Sequence, residues 1–300
     1  MKSWFKYLIY ASLVFLAIAL YKADYLKAPK IYSIAEVTVS FVFMFAAQLV
    51  STFAWKKILK EYGYSFRTAE CIAGVGLSVF SKYVPGKVWI ILGKAAYLNR
   101  SKQYSLGKLS AVSLNSQFIR LWVGLTLGAL GFVALGGNSL QSLIMLLVWL
   151  GLSVVVFSRA VHGIVEILLK KILKRTVTVS NLGFGATLHV MPWFLLYWVL
   201  MAAGFYLLVD AITAESTSLI LGLGFPLAAT VGVMAVIFPA GLGAREGAMI
   251  AYLALAGLTI TDATTIAVAS RLWFLIGEVF LFTAGWLAHR KLNKCSDTAK

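Results

Sequence analysis

Acidic residues are scarce in this chain. Its 300 residues hold 11 Asp and Glu against 27 Lys and Arg, and all charged residues together make up 13%. A soluble domain carries about a quarter charged residues. With 61% hydrophobic residues and a mean hydropathy of +0.88, the apolar surface exceeds what one core can bury. It must face lipid, in spans of roughly 20 residues joined by short loops. Cysteine is nearly absent as well. Cys71 and Cys295 have no metal-ligand spacing and no evident pairing, and read as two inert thiols on the reducing, cytoplasmic side. There is no GxxxxGK(S/T) loop, no HExxH, no CxxC and no GxSxG. These absences argue against an enzyme and against transport driven by the chain's own ATP hydrolysis. No cofactor and no metal are expected.

What is present is cation and apolar run. The net charge of +16 raises nucleic acid as a partner, but the Lys and Arg lie in short tracts between apolar runs. That is the pattern of topology-setting loops beside an anionic cytoplasmic leaflet, so no nucleic-acid partner is expected. Full spans are expected at 5–21, 31–55, 109–135, 139–157, 182–209 and 264–288. The first is favoured as an uncleaved span over a signal peptide, because aromatic and charged residues follow it at once. Basic tracts at 56–68, 94–108 and 158–180 and after Ala288 are assigned to the cytoplasm. The uncharged Gly136-Gly137-Asn138-Ser139 and the loop around Asp210 and Glu215 are assigned to the other side. The loop 22–30, with Lys22, Lys27 and Lys30, dissents mildly. Within 158–180 the pattern is that of a cationic amphipathic helix on the leaflet surface, either an anchor or a lipid sensor.

Two apolar stretches, 69–93 and 217–258, do not behave as simple spans. The first has a basic loop on each side. It is expected to enter from the cytoplasm, break at Tyr83-Val84-Pro85-Gly86 and return. The second breaks at Phe238-Pro239-Ala240-Gly241-Leu242-Gly243 and is expected to do the same from outside. The expected fold is therefore an all-α polytopic membrane protein. It has about six full spans and two opposed re-entrant hairpins in an inverted repeat, with halves at 1–136 and 137–300. Both termini would be cytoplasmic. A sequence trace of the repeat is Arg120-Leu121-Trp122, 35 positions after Pro85, against Arg271-Leu272-Trp273, 32 after Pro239.

Charge within a bilayer costs roughly 2.5–3.5 kcal/mol per residue unless it is paired or hydrated. Lys82, Lys87, Arg120, Arg245, Glu246, Arg271 and Glu278 therefore need a reason to be there. Five are cations, and all lie near the two breaks or on the spans that follow. Converging cations beside broken helices suit a phosphate or carboxylate. The competing reading is structural: Arg245–Glu246 and Arg271–Glu278 are internal ion pairs that hold the bundle, although Arg271 and Glu278, about two turns apart on one helix face, more readily pair each with a neighbouring element. Arg120 reads equally as a site residue or as a cation snorkelling to the interface. His189 reads as an interhelical hydrogen bond ahead of a proton relay. Gly124 and Gly128 need only close helix packing.

The segment Ser81-Lys82-Tyr83-Val84-Pro85-Gly86-Lys87-Val88-Trp89 resembles the KY-(L/V/I)-P-G-K-x-W signature of the lysylphosphatidylglycerol synthase transmembrane-region family. Phe238-Pro239-Ala240-Gly241-Leu242-Gly243-Ala244-Arg245-Glu246-Gly247 resembles its second signature, P-x-G-(L/I)-G-x-R-E. By motif position, the resemblance covers Lys82, Pro85, Gly86 and Lys87, then Pro239, Gly241, Gly243, Arg245 and Glu246. Arg120 and Arg271 rest on the repeat. The resemblance implies a flippase-like module in a bacterial or archaeal cytoplasmic membrane. The expected form is stand-alone, without the aminoacyl-transferase domain. The leading expectation is a flippase or transporter for a lipid with an anionic, phosphate-bearing head group, either a phospholipid or a polyprenyl-linked glycolipid. The alternatives are a secondary transporter of a small anion and a non-transporting membrane partner of a lipid or glycan biosynthetic enzyme.

Overall fold

The computed structural model describes residues 30–83, 89–102, 104–158, 184–213, 217–235, 241 and 243–297. The expected first span, most of the tract 158–180, Pro85, Gly86, Lys87 and Pro239 lie outside the described residues.

Nine α-helices make up almost all of what is described. They are α1 (Ile34–Glu61), α2 (Thr68–Ser78), α3 (Trp89–Lys102), α4 (Leu106–Ala134) and α5 (Ser139–Phe157), then α6 (Phe184–Ile212), α7 (Gly224–Met234), α8 (Ala244–Leu255) and α9 (Ile260–Asp297). Short 3-10 turns follow α2 (Val79–Tyr83) and precede α7 (Leu219–Leu223). Five helices, α1, α4, α5, α6 and α9, are long and apolar enough to cross a membrane. The shortest of them, α5, has 19 residues, about 28 Å of helix, and so matches the hydrocarbon core. The chain is a multi-pass helical membrane protein.

Local sequence explains where these helices start and stop. The Ser33 hydroxyl accepts the Glu36 N–H at the start of α1, and the Asn138 side chain accepts the Leu140 N–H at the start of α5. Residues 62–64, 135–137 and 256–258 close α1, α4 and α8 with the same three backbone hydrogen bonds, which satisfy carbonyls the helix leaves open. The outer face of α5 carries Leu143, Leu147, Leu150 and Val154, all exposed, and only Leu152 and Val156 are buried. In water such a face would be unstable; in a bilayer it meets acyl chains.

Small residues set how closely the helices meet. A Cβ on Gly128 of α4 would lie 2.7 Å from the Leu227 Cα of α7, and one on Gly124 would lie 2.7 Å from the Trp198 ring of α6. One on Gly76 of α2 would lie 2.8 Å from the Gly285 Cα of α9. Helix pairs in lipid gain no hydrophobic drive, so close van der Waals contact must hold them. Gly124 and Gly128 thus serve packing, as their spacing suggests.

The order short helix, break, short helix, long helix occurs twice, as α2–α3–α4 and as α7–α8–α9. In each case the two short helices pack against each other. The first break follows Tyr83, and the second lies between Ala235 and Ala244. Lys94, read from sequence as part of a basic loop, belongs instead to α3.

Candidate functional site

Arg271 and Glu278 lie seven residues apart on α9. They therefore share a face of that helix, roughly 10 Å from each other along its axis. Each pairs with a different break. Glu278 is fully buried and takes two partners from the first: Lys82 Nζ donates to Oε1, and the Tyr83 hydroxyl donates to Oε2 at 2.8 Å. At the second break the polarity is reversed. Arg271 Nη1 donates to Glu246 Oε1 at 2.7 Å, with the arginine 5% and the glutamate 12% exposed. The other oxygen of Glu246 accepts the Gly243 N–H at 2.8 Å, capping α8. One helix face thus clips both breaks.

Backbone geometry at the second break explains its glycines. Gly241 and Gly243 have φ of +71° and +82°, a region that L side chains rarely enter. Gly241 also lies against the backbone of Gly232, 2.7 Å from its Cα to any added Cβ. The turn brings Arg245 into the bundle at the start of α8.

Arg245 is buried at 8% exposure and has no carboxylate partner among the described residues. Its Nη2 makes only two long contacts, to the Ser270 carbonyl oxygen at 3.4 Å and hydroxyl oxygen at 3.5 Å. Phe225 and Phe274 cover the guanidinium with their rings, at 4.9 and 5.2 Å from the centroids. Such ring contacts offset part of the desolvation of a cation. They accept none of the five N–H bonds a guanidinium can donate. The pairing of Arg245 with Glu246 that adjacency in sequence allows is not formed; Glu246 turns to Arg271 instead.

Arg120, on α4, also pairs with no acid among the described residues. It donates to Gln117 Oε1 at 2.7 Å and lies over the Tyr197 ring at 5.8 Å. The Nε2 of Gln117 is buried without a partner. Arg245, Arg271 and Arg120 all lie close enough to Lys82 to repel its ammonium. The residues expected from sequence to converge, Lys82, Arg120, Arg245, Glu246, Arg271 and Glu278, do form one electrostatic neighbourhood. Lys87 lies outside the described residues.

Three participants were missed. Tyr83 was read only as part of a break, although it adjoins Lys82 in the first signature. Gln117 carries no charge to mark it in the sequence. Lys94 was read as a loop cation; it lies over the Trp55 ring at 4.8 Å and feels the charge of Arg120. His189 makes a hydrogen bond to Glu61 at 2.8 Å, joining α6 to α1. Cys71 is buried. Among the described residues, no group of three His, Cys, Asp or Glu side chains could hold a metal ion.

The model of the Lysylphosphatidylglycerol synthase TM region family matches residues 3–281, nearly the whole chain. The chain belongs to this family. The match takes in both breaks and every ionised residue of the neighbourhood, through Glu278. A comparison with curated proteins finds no match. Membership in the lysylphosphatidylglycerol synthase TM region family, together with five apolar helices, fits a lipid-related role in a membrane.

Proposed function

We propose that this protein is a flippase or transporter for a lipid whose head group bears phosphate. The observation that carries this reading is Arg245, a buried guanidinium that forms no ion pair with a carboxylate among the described residues. Burying a cation away from water is costly unless an anion comes to meet it. The anion here is the substrate. Phosphate oxygens accept several guanidinium N–H bonds at once, and the unpartnered Gln117 Nε2 adds a neutral donor beside Arg120.

In this reading the two helix pairs α2–α3 and α7–α8 are re-entrant hairpins that enter from opposite sides. They belong to an inverted repeat with halves at 1–136 and 137–300. The doubled order of elements supports this, as does a long helix after each break carrying Arg-Leu-Trp. Head-group oxygens compete with Glu278 for Lys82 and with Glu246 for Arg271. A loosened clip frees its hairpin to move, and rocking of the halves exposes the site to each side in turn. The membrane is a bacterial or archaeal cytoplasmic membrane, with both termini in the cytoplasm. The protein performs no chemistry on the lipid. A lipid or glycan biosynthetic enzyme supplies or consumes the lipid.

The test is head-group translocation in proteoliposomes. Arg245→Gln and Arg120→Gln are expected to lower the initial rate by roughly tenfold or more, the cost of losing a charged hydrogen-bond donor. Unchanged rates in both variants would sink the proposed site. Flux of entrapped inorganic phosphate without lipid movement would replace the lipid reading with that of a small-anion transporter.

A further inference from the structure

Among the described residues, one ring meets a cation from each break. Phe274, on α9, has the Lys82 ammonium over its ring at 4.6 Å from the centroid and the Arg245 guanidinium over it at 5.2 Å. Lys82 belongs to the first break, and Arg245 follows the second. The other rings here serve one of these cations each: Tyr83 meets Lys82 at 5.3 Å, and Phe225 meets Arg245 at 4.9 Å. Phe274 comes three residues after Arg271 and four before Glu278, so it sits on the face of α9 that clips both breaks. In the register of the two Arg-Leu-Trp tripeptides its counterpart is Val123, which is buried and has no ring.

We propose that Phe274 is a positioning residue of the anion site, whose ring holds Lys82 and Arg245 where one head-group phosphate takes hydrogen bonds from both. The proposal rests on the anion-site reading above and adds to it a residue that carries no charge. A ring face attracts a cation without accepting its conventional N–H bonds, so the donors stay free for an anion. Glu278 already engages a donor of Lys82. The ring keeps that ammonium in place when the head group competes with Glu278 for it. Both distances run to one centroid, so Lys82 Nζ and Arg245 Cζ are no more than about 10 Å apart, close to the span of a phosphate with a charged hydrogen bond of about 2.8 Å on either side. A phosphate bound in this way joins the two breaks through the substrate itself.

The test alters the charge distribution of the ring and keeps its shape. Phe274 is replaced in the full chain by mono-, di- and trifluorinated phenylalanine, which draw electron density from the ring face and weaken its hold on a cation. Each protein is placed in nanodiscs of neutral lipid with a graded fraction of phosphatidic acid. The readout is the fraction that gives half-maximal thermal stabilisation. It is expected to rise with each fluorine, by about tenfold at three, because two contacts weaken together. The same series at Phe225, which meets Arg245 and not Lys82, should give a rise of about threefold. In an Arg245→Gln background the Phe274 series should also keep only about a threefold rise, from Lys82 alone. Phe274→Tyr retains the ring face and should stay within about twofold of wild type.

A flat half-maximum across the fluorine series would overturn the proposal, and weaker binding in Phe274→Leu alone would then assign the ring to packing. A full tenfold rise in the Arg245→Gln background would overturn the sharing of one ring by two cations. The two readings fail separately. A graded fluorine response with no head-group movement by wild type would keep the positioning role and sink the flippase. A flat response with translocation that depends on Arg245 would do the reverse. Inorganic phosphate added to neutral discs separates the sources of the group. A fluorine-dependent response to it that matches the response to phosphatidic acid would overturn the lipid as the carrier.

Discussion

At the first break the chain supplies the base and α9 the acid; at the second, the break supplies the acid and α9 the base. Lys82 and Tyr83 both reach one carboxylate, Glu278, which is fully buried. Lys82 itself is 22% exposed, whereas Arg271 and Glu246 are 5% and 12% exposed, and Glu246 also spends one oxygen on the helix start at Gly243. The first clip thus sets a fully buried acid against a base at its edge. The second is a pair combined with a cap. The same helix face holds both, so the two breaks are coupled through α9 while differing in how much each depends on its acid.

Breaking the first clip should have the largest effect. Glu278→Ala leaves Lys82 without its carboxylate, and a loss of about 3–5 kcal/mol is expected. Thermal unfolding in detergent measures it. A loss under about 1 kcal/mol would mean that the pair is hydrated and that the contrast between the breaks is false. Next comes the backbone of the second break. Gly241→Ala forces a side chain into a positive φ and against Gly232, at a cost of roughly 2–4 kcal/mol. Gly243→Ala shares the strain but meets open space, so about 1–3 kcal/mol is expected. Equal costs at the two glycines would show that strain alone governs the turn.

Breaking the second clip ranks lower. Arg271→Gln removes a charged hydrogen bond worth about 1.5–3 kcal/mol. A double-mutant cycle with Glu246→Gln should return most of that as coupling energy. Additive losses would place the acid's role in the cap at Gly243 alone. The smallest expected effect has the opposite sign. Gly247 lies within α8 with open space around it, so Gly247→Ala should stabilise by about 0.5–1 kcal/mol. Destabilisation by this change would mean that the exposed face of α8 approaches another element during function.

Much of the fold is legible in sequence because lipid imposes a simple rule. Apolar runs near 20 residues must be helices, since no water is present to satisfy an open backbone. Hence five of the six expected spans coincide with helices, and the sixth lies outside the described residues. The two breaks were legible for the same reason: Pro and Gly interrupt runs that otherwise read as spans. The site residues were visible as charges where charge is costly. Their partners were not visible. Adjacency suggested Arg245 with Glu246, and helix spacing put Arg271 and Glu278 on one face. Arg245 and Glu246 do not pair, because Glu246 turns to Arg271, whereas Arg271 and Glu278 each pair with a neighbouring element, as their spacing suggests. Lys94 was misplaced because a basic tract beside an apolar run reads as a loop, whereas α3 extends through it.

The scarcity of acid was plain from composition, and it already implied that cations in the membrane would outnumber their partners. Sequence by itself determined a helical bundle, two interruptions and the positions of seven costly charges, because these follow from local hydropathy and backbone chemistry. Only the tertiary structure decided where the acids went. Glu278 and Glu246 were assigned to Lys82 and Arg271 across more than one element, leaving Arg245 and Arg120 without a carboxylate. Ion pairing between elements depends on which helix faces meet, and close packing at Gly76, Gly128 and Gly285 helps to set that.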